Sequence, residues 1–155
     1  MHSGVTTLVT ETEIVKSTMQ GRFFCVLILV FVAGCNRRSV TAGELSSALR
    51  EIISTSAEAE LLIDKVQRGQ VTPTFARSHN AYLLEETKQS AREMADAPTT
   101  GNLRPVLESC RRDQQLLDTA LQRIDSTLEN LPELITVKEQ VRAIRTAAAN
   151  TRAAL

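Results

Sequence analysis

The sequence predicts an all-α protein, an antiparallel up-down bundle of three to four helices, and three observations carry that prediction. Downstream of Val40 the apolar residues recur at alternating steps of three and four, the period of a helix face buried on its neighbours. Helix-start residues stand ahead of these runs at Thr41, Thr72 and Asn130, and the glycines after Cys35 are confined to Gly43, Gly69 and Gly101, at expected helix ends. No stretch alternates convincingly with period two, so no sheet is expected.

Thr41-Ala42-Gly43-Glu44 reads as a capping box, in which the threonine oxygen and the glutamate three residues on satisfy backbone donors that a helix start leaves orphaned. A helix over about Ala42 to Arg68 follows. Its seam is Leu45, Leu49, Ile52, Ser56, Ala59, Ile63 and Val66, and Gly69 suits the left-handed position that closes it. Thr72-Pro73 opens a second helix running to about Asp96, with proline where its missing N–H costs nothing. Its apolar arc is the weakest of the set, since Phe75, His79, Tyr82, Leu83 and Met94 share it with Glu86 and Ser90. This helix is expected to be partly solvated or to meet something polar.

Ala97 to Gly101 is a loop, and a third helix is expected from near Asn102 with Pro105 in its first turn. Its seam is the cleanest in the chain: Leu103, Leu107, Cys110, Gln114, Leu117, Leu121, Ile124, Leu128 and Leu131. Gln114 is the one polar member, and such a residue often fixes register. Asn130, Pro132 and Glu133 then offer a cap, an early proline and an acidic first turn, ahead of a fourth seam of Leu134, Val137, Val141, Ile144, Ala148, Thr151 and Leu155. The register breaks at Pro132, which allows either a tight reversal or one long kinked helix. The second option makes the protein an elongated helical hairpin or coiled coil needing a second chain.

Ahead of these helices, Arg22 is followed by an uninterrupted apolar run from Phe23 to Val32, too short to span a bilayer, which takes about 20 residues. Val32-Ala33-Gly34-Cys35 closes it and resembles the bacterial lipobox. The resemblance covers this leader alone. It implies signal peptidase II cleavage between Gly34 and Cys35, a thioether-linked diacylglycerol on Cys35, and a mature chain that begins there. Residues 1–18 carry Glu11 and Glu13 against Lys16, the wrong balance for a leader's basic start, so translation is expected to begin at Met19. The expected organisation is an over-called start over 1–18, a signal peptide over 19–34, a tether over 35–41 and a helical domain over 42–155. Asn36 stands where an aspartate retains enteric lipoproteins on the inner membrane, so the analogy favours the periplasmic face of an outer membrane.

Composition excludes several functions. The chain has 18 basic and 18 acidic residues, so no electrostatic footprint for nucleic acid exists. Arg37 and Arg38 could touch lipid headgroups, or simply belong to a solvated linker. Of the three cysteines, Cys25 leaves with the leader and Cys35 is acylated, which leaves Cys110 without a disulfide partner and reads as a buried small hydrophobe. His79 is the only histidine beyond His2, and no zinc, di-iron, haem-attachment or nucleophile-elbow motif is present. Met94 and His79 share one helix and cannot bracket a haem iron from opposite sides, so His79 reads as a hydrogen-bonded boundary residue.

Glu85 with Glu86, and Glu58 with Glu60, are read as solvated carboxylates that do not converge, and Asp64–Arg68, Glu108–Arg112 and Arg92–Asp96 as surface pairs. No catalytic, cofactor or metal site is expected. The functional expectation is a non-enzymatic, lipid-anchored envelope domain acting through a protein partner or self-association. The alternative is a bundle that holds a small apolar ligand or lipid between its helices.

Overall fold

The computed structural model describes residues 39–99 and 101–155, and the leader, with Gly34, Cys35 and the expected translation start, lies outside them. Four helices follow one another: α1 (Ala42–Gln67), α2 (Pro73–Ala95), α3 (Arg104–Thr127) and α4 (Leu131–Ala153), with a 3-10 turn over Gly101–Leu103 leading into α3. The described residues contain no strand. The expected all-α fold is therefore present, as an up-down bundle of four helices.

Each start and stop has a local cause. Thr41 Oγ1 accepts from the Glu44 amide at 3.2 Å while the Glu44 carboxylate accepts from the Thr41 amide at 2.8 Å, which completes the capping box. α1 ends in a Schellman motif: Gly69 N–H reaches the Val66 carbonyl at 3.0 Å and Gln70 N–H the Lys65 carbonyl at 2.8 Å. Gly69 sits at φ 64, a conformation that costs a side-chain-bearing residue about 1 kcal/mol or more. Thr72 caps α2 through the Phe75 amide, 3.2 Å away. Arg111 closes the other end of α2, its guanidinium donating to the carbonyls of Met94, Ala95 and Ala97 at 2.7–3.2 Å. This satisfies carbonyls that the helix leaves open.

Two expectations at the third and fourth helices are corrected. The Gly101 turn carries the chain past Asn102 before α3 begins at Arg104. Asn130 does not cap α4 with its side chain; its amide instead donates to the Glu133 carboxylate at 3.2 Å. Pro132 occupies the first turn of α4 behind a tight reversal at Leu128–Asn130, so the kinked-rod alternative does not apply.

Contacts along the helices fix their directions. Arg152 at the end of α4 reaches Ser46 at the start of α1, and Cys110 near the start of α3 meets Met94 near the end of α2. Arg123 of α3 bonds Gln140 of α4, and His79 of α2 meets Glu58 of α1. Neighbours are antiparallel, with α1 and α4 the most extensive pair and α1 and α3 touching across the diagonal. The contact between α1 and α2 is the slightest of the four around the ring.

The core is built from three of the seams as read. Leu45, Leu49 and Ile63 of α1, Leu107, Leu117, Leu121 and Ile124 of α3, and Leu134, Val137 and Val141 of α4 are almost wholly removed from water. Each such side chain stabilises the fold by about 1.5–3 kcal/mol relative to exposure. The ends of the seams emerge: Val66 and Leu103 are half-buried, and Leu131 and Leu155 are exposed. The gap among Glu51, Thr55, Thr87, Ser90 and Gln114 encloses no space that a water molecule could occupy.

α2 departs from the sequence reading. Its buried stripe is Ala76, Asn80, Leu83, Thr87, Ser90 and Met94, while Phe75 and Tyr82 face outward. The stripe keeps the four-three alternation but fills it with small and polar residues. Most of their polar atoms find partners: Asn80 Nδ2 donates to the Leu121 carbonyl at 2.9 Å, Thr87 Oγ1 to the Leu83 carbonyl at 2.9 Å, and Ser90 Oγ to Glu51 at 3.1 Å, while Asn80 Oδ1 is buried without a hydrogen bond. Gln114 of α3 donates to the Thr87 carbonyl at 3.3 Å, as a register-fixing seam residue should.

Candidate functional site

A helix that buries threonine and asparagine while exposing phenylalanine and tyrosine is turned inside out relative to the usual amphipathic arrangement. The outward edge of α2 that borders α1 carries Phe75, His79 and Tyr82 at steps of four and three. Phe75 and Tyr82 are the only aromatic residues after Phe31, and they are 53% and 56% exposed. Their rings form a ladder along the helix: Phe75 and His79 stack nearly parallel at 5.8 Å, and Tyr82 follows at 6.3 Å with a 30° tilt.

Neighbouring groups hold this ladder in place. His79 Nε2 lies 2.9 Å from the Glu58 carboxylate of α1, which fixes the central imidazole. The Tyr82 hydroxyl donates to Glu86 one turn along, and that bond, with the charge of Glu86 behind it, holds the phenol above its ordinary pKa. Leu61 of α1 is 53% exposed and lies one turn from Glu58. Because α1 and α2 are antiparallel, Leu61 and Phe75 are both one turn from the Glu58–His79 contact in the same direction. Phe75 and Tyr82 thus flank His79 along the edge of α2, and Leu61 is exposed one turn beyond Glu58 on α1.

The other residues singled out in the sequence lie elsewhere. His79 is the half-buried, hydrogen-bonded boundary residue expected. Met94 and Cys110 meet inside the core with their sulfurs 3.9 Å apart. Cys110 is fully buried, and desolvation first, then the charges of Asp113 and Glu51, pushes its thiol up to about 11. It is an unreactive thiol at neutral pH.

Several ion pairs were assigned other partners. Asp64 pairs with Lys138 of α4 rather than with Arg68, Glu108 with Arg104 at 3.1 Å rather than with Arg112, and Arg92 with Glu85 at 3.7 Å rather than with Asp96. Glu60, read as solvated, is buried between Arg145 at 3.1 Å and Arg142 at 3.4 Å. Its neighbour Glu58 points to the opposite edge of α1, as the roughly 100° step per residue requires. The groups at Glu60 and Asp64 tie α1 to α4.

Among the described residues no three His, Cys, Asp or Glu side chains are grouped to hold a metal ion, and no helix is long and apolar enough to cross a membrane. Taken together, the described residues define a four-helix bundle with an apolar core and an exposed aromatic edge on α2. Searches against family profiles, curated proteins and solved structures find no match.

Proposed function

We propose that this chain is a lipid-tethered docking module of a bacterial envelope, held to the membrane through Cys35 and binding a protein partner on the α1–α2 face. The observation that carries the docking half is the inverted α2. Its two aromatic rings are held out of a core that has polar residues in their place. Burying such rings is the commonest source of interface energy, because each removes a large area from water for little lost side-chain freedom. The tether half rests on the resemblance of Val32–Cys35 to a lipobox.

Photo-crosslinking residues placed at Leu61, Phe75 and Tyr82 in native membranes test the docking half, with Leu116 and Thr136 as controls. A discrete adduct from the first set and none from the controls is expected. Adducts formed equally from both sets would remove the reading. For the tether, Cys35→Ala is expected to abolish palmitate labelling and leave the precursor unprocessed, and unchanged labelling would refute it.

A further inference from the structure

We infer that the partner segment received by the α1–α2 face is amphipathic and basic, with apolar side chains against Leu61, Phe75 and Tyr82 and arginines further along toward the Val40–Pro98 pole of the bundle. This inference rests on the docking reading above and specifies its chemistry.

The distribution of counter-ions carries it. Of the sixteen carboxylates in the described bundle, eight have a Lys or Arg partner: Glu60, Asp64, Glu85, Glu108, Asp125, Glu129, Glu133 and Glu139. Four carboxylates along the α1–α2 edge do not. Glu58 meets only His79, Glu86 only the Tyr82 hydroxyl, Glu51 only the Ser90 hydroxyl, and Glu93 has no hydrogen bond or ion pair among the described residues. Glu51 and Glu58 are seven residues apart on α1, as are Glu86 and Glu93 on α2, so each pair shares one helix edge two turns long. Arg50 is turned by roughly 100° from Glu51 and projects in nearly the same direction as Leu61, three turns further along α1. Lys65 stands at the opposite, loop end of the face.

The face is therefore graded. Phe75 lies toward the Gly69 end, Glu58 is level with His79 between Phe75 and Tyr82, and Glu51, Glu86 and Glu93 lie toward the other pole. From Phe75 to Glu86 the rise is about 16 Å, so a helical partner would separate its apolar anchors from its charges by roughly three turns. Arginine suits this surface better than lysine, because its planar guanidinium stacks on the Tyr82 ring while pairing bidentately with Glu86 or Glu58.

The test uses the full-length chain in detergent micelles and two labelled helical peptides with identical leucine patterns, one bearing arginine and the other glutamate at the same positions. Fluorescence anisotropy is expected to show the arginine peptide binding at least tenfold more tightly. That affinity should fall about tenfold in the Glu58→Gln/Glu86→Gln variant, fall further in Phe75→Ala/Tyr82→Ala, and stay unchanged in Asp125→Asn/Glu129→Gln. Equal or tighter binding of the glutamate peptide overturns the inference. So does binding of neither peptide, or arginine-peptide binding indifferent to both the carboxylate and the aromatic variants. The docking reading is judged apart from these outcomes, by the crosslinks at Leu61, Phe75 and Tyr82.

Discussion

Asp113 and Glu60 are both carboxylates that the bundle closes over, at 6% and 7% exposure, yet they are expected to act on stability with opposite sign. Asp113 has no cation within ion-pair distance among the described residues, and desolvation raises its pKa against a small opposing effect of Arg112. Its folded state therefore holds the proton to higher pH than the unfolded chain, and stability falls as pH rises through that window. Asp113→Asn should stabilise the protein by about 1 kcal/mol at pH 7. The gain should vanish below about pH 3.9, the ordinary aspartate value, and urea unfolding at both pH values checks it. Glu60 has two arginines, so Glu60→Ala should destabilise by about 1–2 kcal/mol, less than a wholly buried pair would lose because both guanidiniums remain partly solvated. Asp64 works in the usual carboxylate direction: the Lys138 contact lowers its pKa, and the stability it adds is lost as pH falls through that lowered value. Cys110 should resist iodoacetamide at pH 8 in the folded protein and react on unfolding, a difference that mass spectrometry reads directly.

Among the elements, α2 is held most weakly, because its buried stripe contains only two large apolar side chains, Leu83 and Met94. Its amides are expected to exchange with deuterium before those of α1, α3 and α4, and equal protection in all four helices would contradict this account. Thr41→Ala should cost about 1 kcal/mol by removing the hydroxyl that accepts from the Glu44 amide, while the residue-41 amide can still donate to the Glu44 carboxylate. The same contrast explains what was legible in the sequence. Seams made of leucine, isoleucine and valine at heptad spacing identify their own buried face, and those of α1, α3 and α4 were read almost residue by residue. In α2 the large residues Phe75 and Tyr82 mark the wrong face, because the regular stripe from Ala76 to Met94 is made mostly of smaller side chains. Local spacing does not reveal that Asn80 finds a carbonyl on α3, or that Glu60 meets two arginines more than eighty residues away. Those partners exist only once the helices are side by side.

For the whole molecule, a single core shared by four helices predicts a single cooperative transition. Residues 39–155 alone should unfold in urea with coincident fluorescence-independent probes, far-UV circular dichroism and hydrogen exchange among them. Analytical ultracentrifugation of that fragment should show a body as compact as a four-helix bundle of its mass, and an extended species would conflict with the tight turn ahead of Pro132. Helices of 23 to 26 residues make the bundle about 35–39 Å long. The docking face occupies one side of that length, and removing it by Phe75→Ala/Tyr82→Ala should leave the unfolding midpoint nearly unchanged, since neither ring is buried.

The amide of Val40 donates to the Pro98 carbonyl at 2.8 Å, which fastens the chain entering α1 to the connection between α2 and α3. Mechanical load arriving from the N-terminal side therefore meets that fastening first and then runs along the axis of α1. Because α4 ends at the pole where α1 begins, the Arg152–Ser46 contact lies next to that fastening, and the Glu60 and Asp64 pairs lie further along the α1–α4 interface behind it. A chain entry fastened this way keeps load from reaching the ion pairs between α1 and α4 until two outer contacts have opened.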